Sequence, residues 1–135
     1  MFSKDTKILV VDDMNTMRKI VKNSLRKLGF SDISEAVNGA EAWQALSESE
    51  EKFDLVVSDW NMPVMTGLDL LKKVRSHEAF EQLPFLMVTA EGESTQIAEA
   101  IQAGVSNFLL KPFTPDSFSK KLELVYKKHE KTKVA

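Results

Sequence analysis

The chain has 135 residues, 18 Lys and Arg against 20 Asp and Glu, and no cysteine. That length holds one globular domain with a real core and leaves no room for a recognition domain joined to a separate output domain, while a net charge of −2 argues against a nucleic-acid partner, which calls for a large positive excess. Without cysteine there is no disulfide, thiolate zinc site or thiol nucleophile, and with no aliphatic or aromatic run beyond four residues, against the roughly 20 of a membrane span, the expectation is a soluble, cytoplasmic chain with no membrane partner.

Residues 8–11 form a continuous apolar run and predict the first strand. Met17, Ile20, Val21, Ser24, Leu25 and Leu28 then keep i, i+3, i+4 spacing, with Arg18, Lys22 and Arg26 on another face, and Gly29 ends that helix. Residues 33–36 are a weaker strand candidate, and Asn38-Gly39 introduces the second helix. The third strand covers 55–57, with Pro63 and Gly67 in the loop before the third helix. Pro84 opens the fourth strand at 85–88, and Gly104 ends the fourth helix. Residues 108–110 make the fifth strand, followed by Pro112 and a last helix marked by Phe118, Leu122 and Val125. Strand and helix thus alternate five times, a (βα)5 pattern of the α/β class. Continuous rather than alternating apolar strands imply a parallel sheet covered on both faces.

Polar residues stand where these strands end. Asp12 and Asp13 follow the first, Asp59 the third, Thr89 the fourth and Lys111 the fifth. In open parallel α/β sheets, ligands bind outside that carboxyl edge, so residues distant in sequence converge there. Three gathered carboxylates repel unless a proton or a cation neutralises them. An all-oxygen donor set favours a hard cation, Mg²⁺ or Mn²⁺ in its place, which keeps positions open for water and phosphoryl oxygens. A lysine and a threonine hydroxyl opposite can hold the remaining oxygens, and a carboxylate can itself be the nucleophile. The constellation reads as a phosphoryl-transfer site. Singly, each residue also has a plain structural reading: turn acid or helix cap for the aspartates, strand end for Thr89, surface lysine for Lys111. The joint pattern is far more specific than any member.

Val10-Val11-Asp12-Asp13, Ser58-Asp59-Trp60-Asn61-Met62-Pro63, Val88-Thr89-Ala90-Glu91 and Leu110-Lys111-Pro112-Phe113-Thr114 resemble, in order and spacing, the receiver domains of bacterial two-component response regulators. The resemblance covers residues 6–128 of what reads as a single domain over 1–135, with a short basic tail and no output domain attached. It implies a flavodoxin-like, doubly wound five-stranded sheet with strand order 2-1-3-4-5. It implies that Asp59 accepts a phosphoryl group from a histidine kinase, with Asp12, Asp13, Asp59 and the Asn61 backbone carbonyl holding Mg²⁺. Lys111 would contact the phosphoryl group, Thr89 and Phe108 would form the switch, Asn61 and Glu91 would tune self-dephosphorylation, and Lys111-Pro112 would be a cis bond. The output face would comprise the fourth helix, fifth strand and fifth helix. Implied partners are the kinase, a flagellar motor switch protein or another protein effector, and a phosphatase, with the chain acting as a monomer. Phe108 replaces the tyrosine of chemotaxis members, and Glu93 and Leu124 replace lysines, which changes the charge of the motor-binding face. The alternative reading is a phosphate shuttle or sink, or a regulator of another process.

Two other classes fit less well. A haloacid-dehalogenase-type phosphatase wants Asp-x-Asp-x-Thr after the first strand, and Asp13-Met14-Asn15-Thr16 lacks the second acid and the spacing. A flavin module wants a Ser/Thr-rich phosphate loop there, and the acid pair would repel the phosphate. Of the remaining features, Trp60 is expected at the rim of the site and Trp43 on a helix packed against the sheet. Met14, Met17, Met62 and Met65 read as core or loop packing, and His77 and His129 as isolated surface residues. Residues 14–28 carry five basic residues and no acid, and 30–51 carry six acids and no base. The basic helix is either a docking face for an acidic partner or a solvated face.

Overall fold

The computed structural model describes residues 2–90 and 94–134. Five strands, β1 (Ile8–Val11), β2 (Ile33–Ala36), β3 (Leu55–Asp59), β4 (Phe85–Thr89) and β5 (Asn107–Leu110), alternate with five helices. These are α1 (Asn15–Lys27), α2 (Gly39–Glu48), α3 (Gly67–Ser76), α4 (Ser94–Gln102) and α5 (Pro115–Val134). The strands form one parallel sheet in the order β2-β1-β3-β4-β5. This is the flavodoxin-like, doubly wound topology.

The continuous apolar strands divide between two cores because successive side chains point to opposite faces. Ile8, Val10, Leu55, Val57, Leu86 and Val88 pack with Val21 and Leu25 of α1 and with Phe118, Leu122 and Val125 of α5. Leu9, Val11, Val56, Phe85 and Met87 pack with Leu46 of α2, Leu71 and Val74 of α3 and Ala100 of α4. Ile20, expected on the buried face of α1, is instead exposed. Helix ends follow local chemistry. The side chains of Asn38 and Thr66 accept from the third residue onward in α2 and α3. Gly29 and Gly104, both at positive φ, follow α1 and α4. Pro115 opens α5 behind a reciprocal Thr114–Ser117 pair.

A 3₁₀ turn at Glu78–Phe80 has no counterpart in the sequence pattern. His77 caps it by accepting from the Ala79 N–H, and His77 and Phe80 both meet the Trp43 ring. His129, expected at the surface, is half-buried and meets Ser106 Oγ, the same oxygen that accepts from the Phe85 N–H. Among the described residues no helix is long and apolar enough to cross a membrane.

Candidate functional site

The parallel register delivers the site. β1 and β3 lie side by side, with Val11 opposite Ser58, so Asp12 and Asp59 leave the sheet as neighbours. β3 pairs with β4 through Asp59 and Val88, and β4 with β5 through Thr89 and Leu110, which brings Thr89 and Lys111 to the same edge. Asp59 and Thr89 are the last residues of their strands rather than the first of the following loops, because each still belongs to the ladder.

Asp12, Asp13 and Asp59 present carboxylate oxygens that all lie within 4.8 Å of one another. Asp12 and Asp59 are buried and Asp13 is exposed, so the group opens to solvent on one side. Lys111 Nζ donates to Asp59 Oδ1 at 2.9 Å and lies 3.9 Å from Asp12 Oδ2. The Lys111 N–H donates to the Thr89 carbonyl at 2.8 Å, and the Thr89 side chain is buried beside it at the strand end. The Lys111-Pro112 bond is cis. Asn61 is exposed two residues beyond Asp59. Phe108 is half-buried on β5 with the Lys121 ammonium 4.9 Å from its ring centre. Glu91 and Glu93 lie outside the described residues. Trp60 is not at a rim: it is buried in the core cluster that also holds Met62 and Leu68.

One ammonium, within 4 Å of Asp59 and Asp12, serves a group of three carboxylates. Burial holds the Asp12 carboxyl above the usual carboxylate range. A hydrogen bond from the Met14 N–H opposes this, Asp59 pushes the same way as burial, Lys111 opposes, and Asp13 adds to the rise. An all-oxygen, net negative and partly open donor set fits a hard divalent cation such as Mg²⁺. The sign for pH is definite. With its folded-state value raised, Asp12 keeps a proton that the unfolded chain has lost. Its contribution to stability therefore falls as pH rises from the ordinary carboxylate range to the raised value. A cation favours the carboxylate and opposes that loss. The rise in unfolding temperature produced by saturating Mg²⁺ is expected to grow with pH across this window. A shift of constant size, or one larger in acid, contradicts the cation assignment.

Two supporting residues were not legible as such. Arg18, placed by its spacing only on the basic face of α1, donates through Nη1 to the Asp12 carbonyl at 2.7 Å. Its Nη2 reaches Asn15 Oδ1 and its Nε pairs with Glu35 on β2. Glu35 also takes Lys22, so one acid of the acidic segment answers two cations of the basic helix. Lys22 first, with Arg18 beside it, draws the Glu35 carboxyl below its ordinary range. Gly67 opens α3 directly against the end of β3. A Cβ there would lie 2.2 Å from the Asp59 carbonyl oxygen and 2.8 Å from Met87 Sδ. The usable signal was a glycine in the first turn of a helix, where its preference is weak, rather than just past the end.

The response regulator receiver domain pattern matches residues 8–123, and the chain belongs to that family. Chemotaxis protein CheY1 of Helicobacter pylori is 49% identical over 119 residues, covering 88% of this chain and 95% of that protein. Chemotaxis protein CheY of Pseudomonas aeruginosa is 50% identical over 122 residues, covering 90% and 97%. Among solved structures, the chemotaxis response regulator CheY4 of Vibrio cholerae aligns with a TM-score of 0.81 at 35% identity, over 90% of this chain and 98% of that one.

Proposed function

We propose that this chain is a phospho-accepting response regulator, a single receiver domain over residues 1–135 whose Asp59 takes a phosphoryl group from a histidine kinase. The observation that carries the reading is the Lys111 ammonium, set 2.9 Å from Asp59 and 3.9 Å from Asp12, two of three gathered carboxylates. In the transfer, the phosphorus–nitrogen bond of the donor's phosphohistidine breaks and a phosphorus–oxygen bond to an Asp59 carboxylate oxygen forms. The electron pair stays on the imidazole, which takes up a proton. Asp12, Asp13, Asp59 and the Asn61 carbonyl would hold Mg²⁺, or Mn²⁺ in its place, which when bound neutralises charge between the carboxylates and the phosphoryl oxygens. Lys111 pairs with a phosphoryl oxygen, and the Thr89 hydroxyl, at the neighbouring strand end, donates to another. Asn61 and Glu91 set the rate at which water removes the group.

Phosphorylation adds roughly −1.5 to −2 charge and three acceptor oxygens at the sheet edge. Thr89 and Phe108 carry that change toward α4, β5 and α5. That face exposes Ile101, Leu110 and Leu124, three large apolar side chains suited to a protein partner. The names of the relatives favour chemotaxis as the process. In this reading the partner is a flagellar motor switch protein or another protein effector, and the chain works in the cytoplasm as a monomer, with a phosphatase as a further partner. The phosphoryl group shifts the switch only by its differential interaction with the two states.

Affinity for the N-terminal peptide of a flagellar motor switch protein, measured with and without beryllofluoride and Mg²⁺, tests the output. The expected gain is about tenfold, within the usual range of coupling between sites. Equal affinity in both states would favour a phosphate shuttle or a regulator of another process.

A further inference from the structure

A cavity of about 1020 Å³ opens at the other edge of the sheet, where the strands begin. Asp54 and Pro84, which precede β3 and β4, stand on its wall, so it faces away from the carboxylates at the strand ends. Thr6, Phe53 and Leu83 line it as buried residues. The Thr6 hydroxyl donates to the Ser3 carbonyl at 2.6 Å and is thereby committed. Phe2, Phe80 and Tyr126 add three half-buried rings, Phe2 meeting Tyr126 edge to face at 5.3 Å. Such a volume, at the upper end of the range for small-molecule sites, with aromatic walls, is the form of a ligand pocket.

The mouth of this cavity is negative. Asp54, Glu78, Glu81 and Glu130 are exposed around it, against Lys52 alone among lysines and arginines. None of the four carboxylates is in an ion pair among the described residues. Lys127 and Lys128, also on α5, are engaged elsewhere, Lys127 with Glu123 and Lys128 with the Val105 carbonyl. Helices α3 and α5 both run toward this edge, and a helix carboxyl end carries partial negative charge. The fold already places one ammonium on a ring of this wall. Lys7 Nζ stands 4.6 Å from the Phe53 ring centre while donating to Ser49 Oγ and the Glu51 carbonyl beyond α2.

We propose that this cavity is a binding site for a small organic cation, an alkylated ammonium with an apolar body, held by the rings of Phe2, Phe53, Phe80 and Tyr126 beneath a rim of carboxylates. Ring faces attract a cation through their quadrupole, and a weakly hydrated one loses least on leaving water. The rim acids supply the field that draws it in and disfavours anions of the same shape. A metal ion is a poorer occupant, because the rim carboxylates do not gather as ligands. Among the described residues that arrangement occurs at Asp12, Asp13 and Asp59. The site does not depend on Asp59 being a phosphoryl acceptor.

Benzyltrimethylammonium and benzyl alcohol, which share a ring and differ in charge, are titrated into the full chain and followed by amide NMR. The cation is expected to shift the amides of Phe2, Phe53, Phe80, Tyr126 and His129 saturably and to leave those of Asp13 and Asp59 in place. The alcohol should bind the same residues about tenfold more weakly, as for loss of cation–ring attraction. Glu81→Gln combined with Glu130→Gln, both at exposed positions, should keep the wild-type unfolding temperature. It should weaken the cation several-fold and leave the alcohol unchanged. Equal affinity for the two compounds overturns the proposal, as does a cation affinity that the double variant does not alter. Shifts centred on Asp13 and Asp59, or no saturable shift at the cavity, overturn it as well. Binding of oligolysine at this edge without binding of the small cation also overturns it and assigns the face to a basic protein segment.

Discussion

Asp59→Asn is expected to take up no phosphoryl group from a small acyl phosphate in the presence of Mg²⁺, a fall of at least about 10³ in labelling rate, as for loss of a nucleophile elsewhere. An amide is no substitute for the carboxylate as attacking group, and no other carboxylate stands where Asp59 does. Asp12 is buried, above its ordinary pKa and tied through Oδ1 to the Met14 N–H. Asp13 lies on the solvent side, whereas the Lys111 ammonium contacts Asp59 at 2.9 Å. The substitution also removes one charge from the cluster, with two consequences that labelling does not report. Mg²⁺ affinity should fall by about tenfold or more, in line with the loss of a ligand or its close support. The Asp12 carboxyl should move back toward its ordinary range, because Asp59 is one cause of its rise. Calorimetry with Mg²⁺ and an NMR titration of Asp12 read these separately. Wild-type labelling of Asp59→Asn would end the assignment.

Gly67→Ala is expected to be the most damaging single-methyl change near the site. The added Cβ would stand 2.2 Å from the Asp59 carbonyl oxygen, far inside contact distance, and 2.8 Å from Met87 Sδ. The methionine sulfur can move. The carbonyl cannot move without pulling β3 out of its ladder with β4, where Asp59 pairs with Val88. Overpacking of this severity costs about 3 kcal/mol. For a chain of this size, that lowers the unfolding temperature by roughly 10 °C. Because the obstructed atom belongs to Asp59, the proposed acceptor, the folded fraction should also label more slowly. A thermal scan and a labelling assay below the transition distinguish the two effects. A Gly67→Ala variant as stable as the wild type would show that α3 does not press on β3.

The strands were legible because parallel strands covered on both faces are written as unbroken apolar runs. Their ends were less so. The apolar runs place Asp59 and Thr89 just past the strands, and both in fact keep a place in the sheet as its last residues. The converging acids and lysine were legible because each follows such a run, and the parallel topology brings carboxyl ends together. Trp60 went the other way: adjacency to Asp59 suggested the rim, but the side chain is buried in the core that α2, α3 and α4 form on one face of the sheet. Arg18 and Gly67 act through main-chain carbonyls of other segments. No spacing rule exposes a contact whose partner is a backbone atom. His129 likewise finds Ser106 only once α5 folds across β5.

The most direct test of the central claim is where the phosphoryl group goes. The wild-type chain is incubated with a small acyl phosphate, with and without Mg²⁺, and the product is trapped by borohydride reduction and mapped by peptide mass spectrometry. Conversion of Asp59 alone to homoserine, the reduction releasing the phosphoryl group as phosphate, and no conversion without Mg²⁺, is the predicted result. Labelling at any other residue, or labelling of Asp59 that does not depend on the cation, would contradict the account.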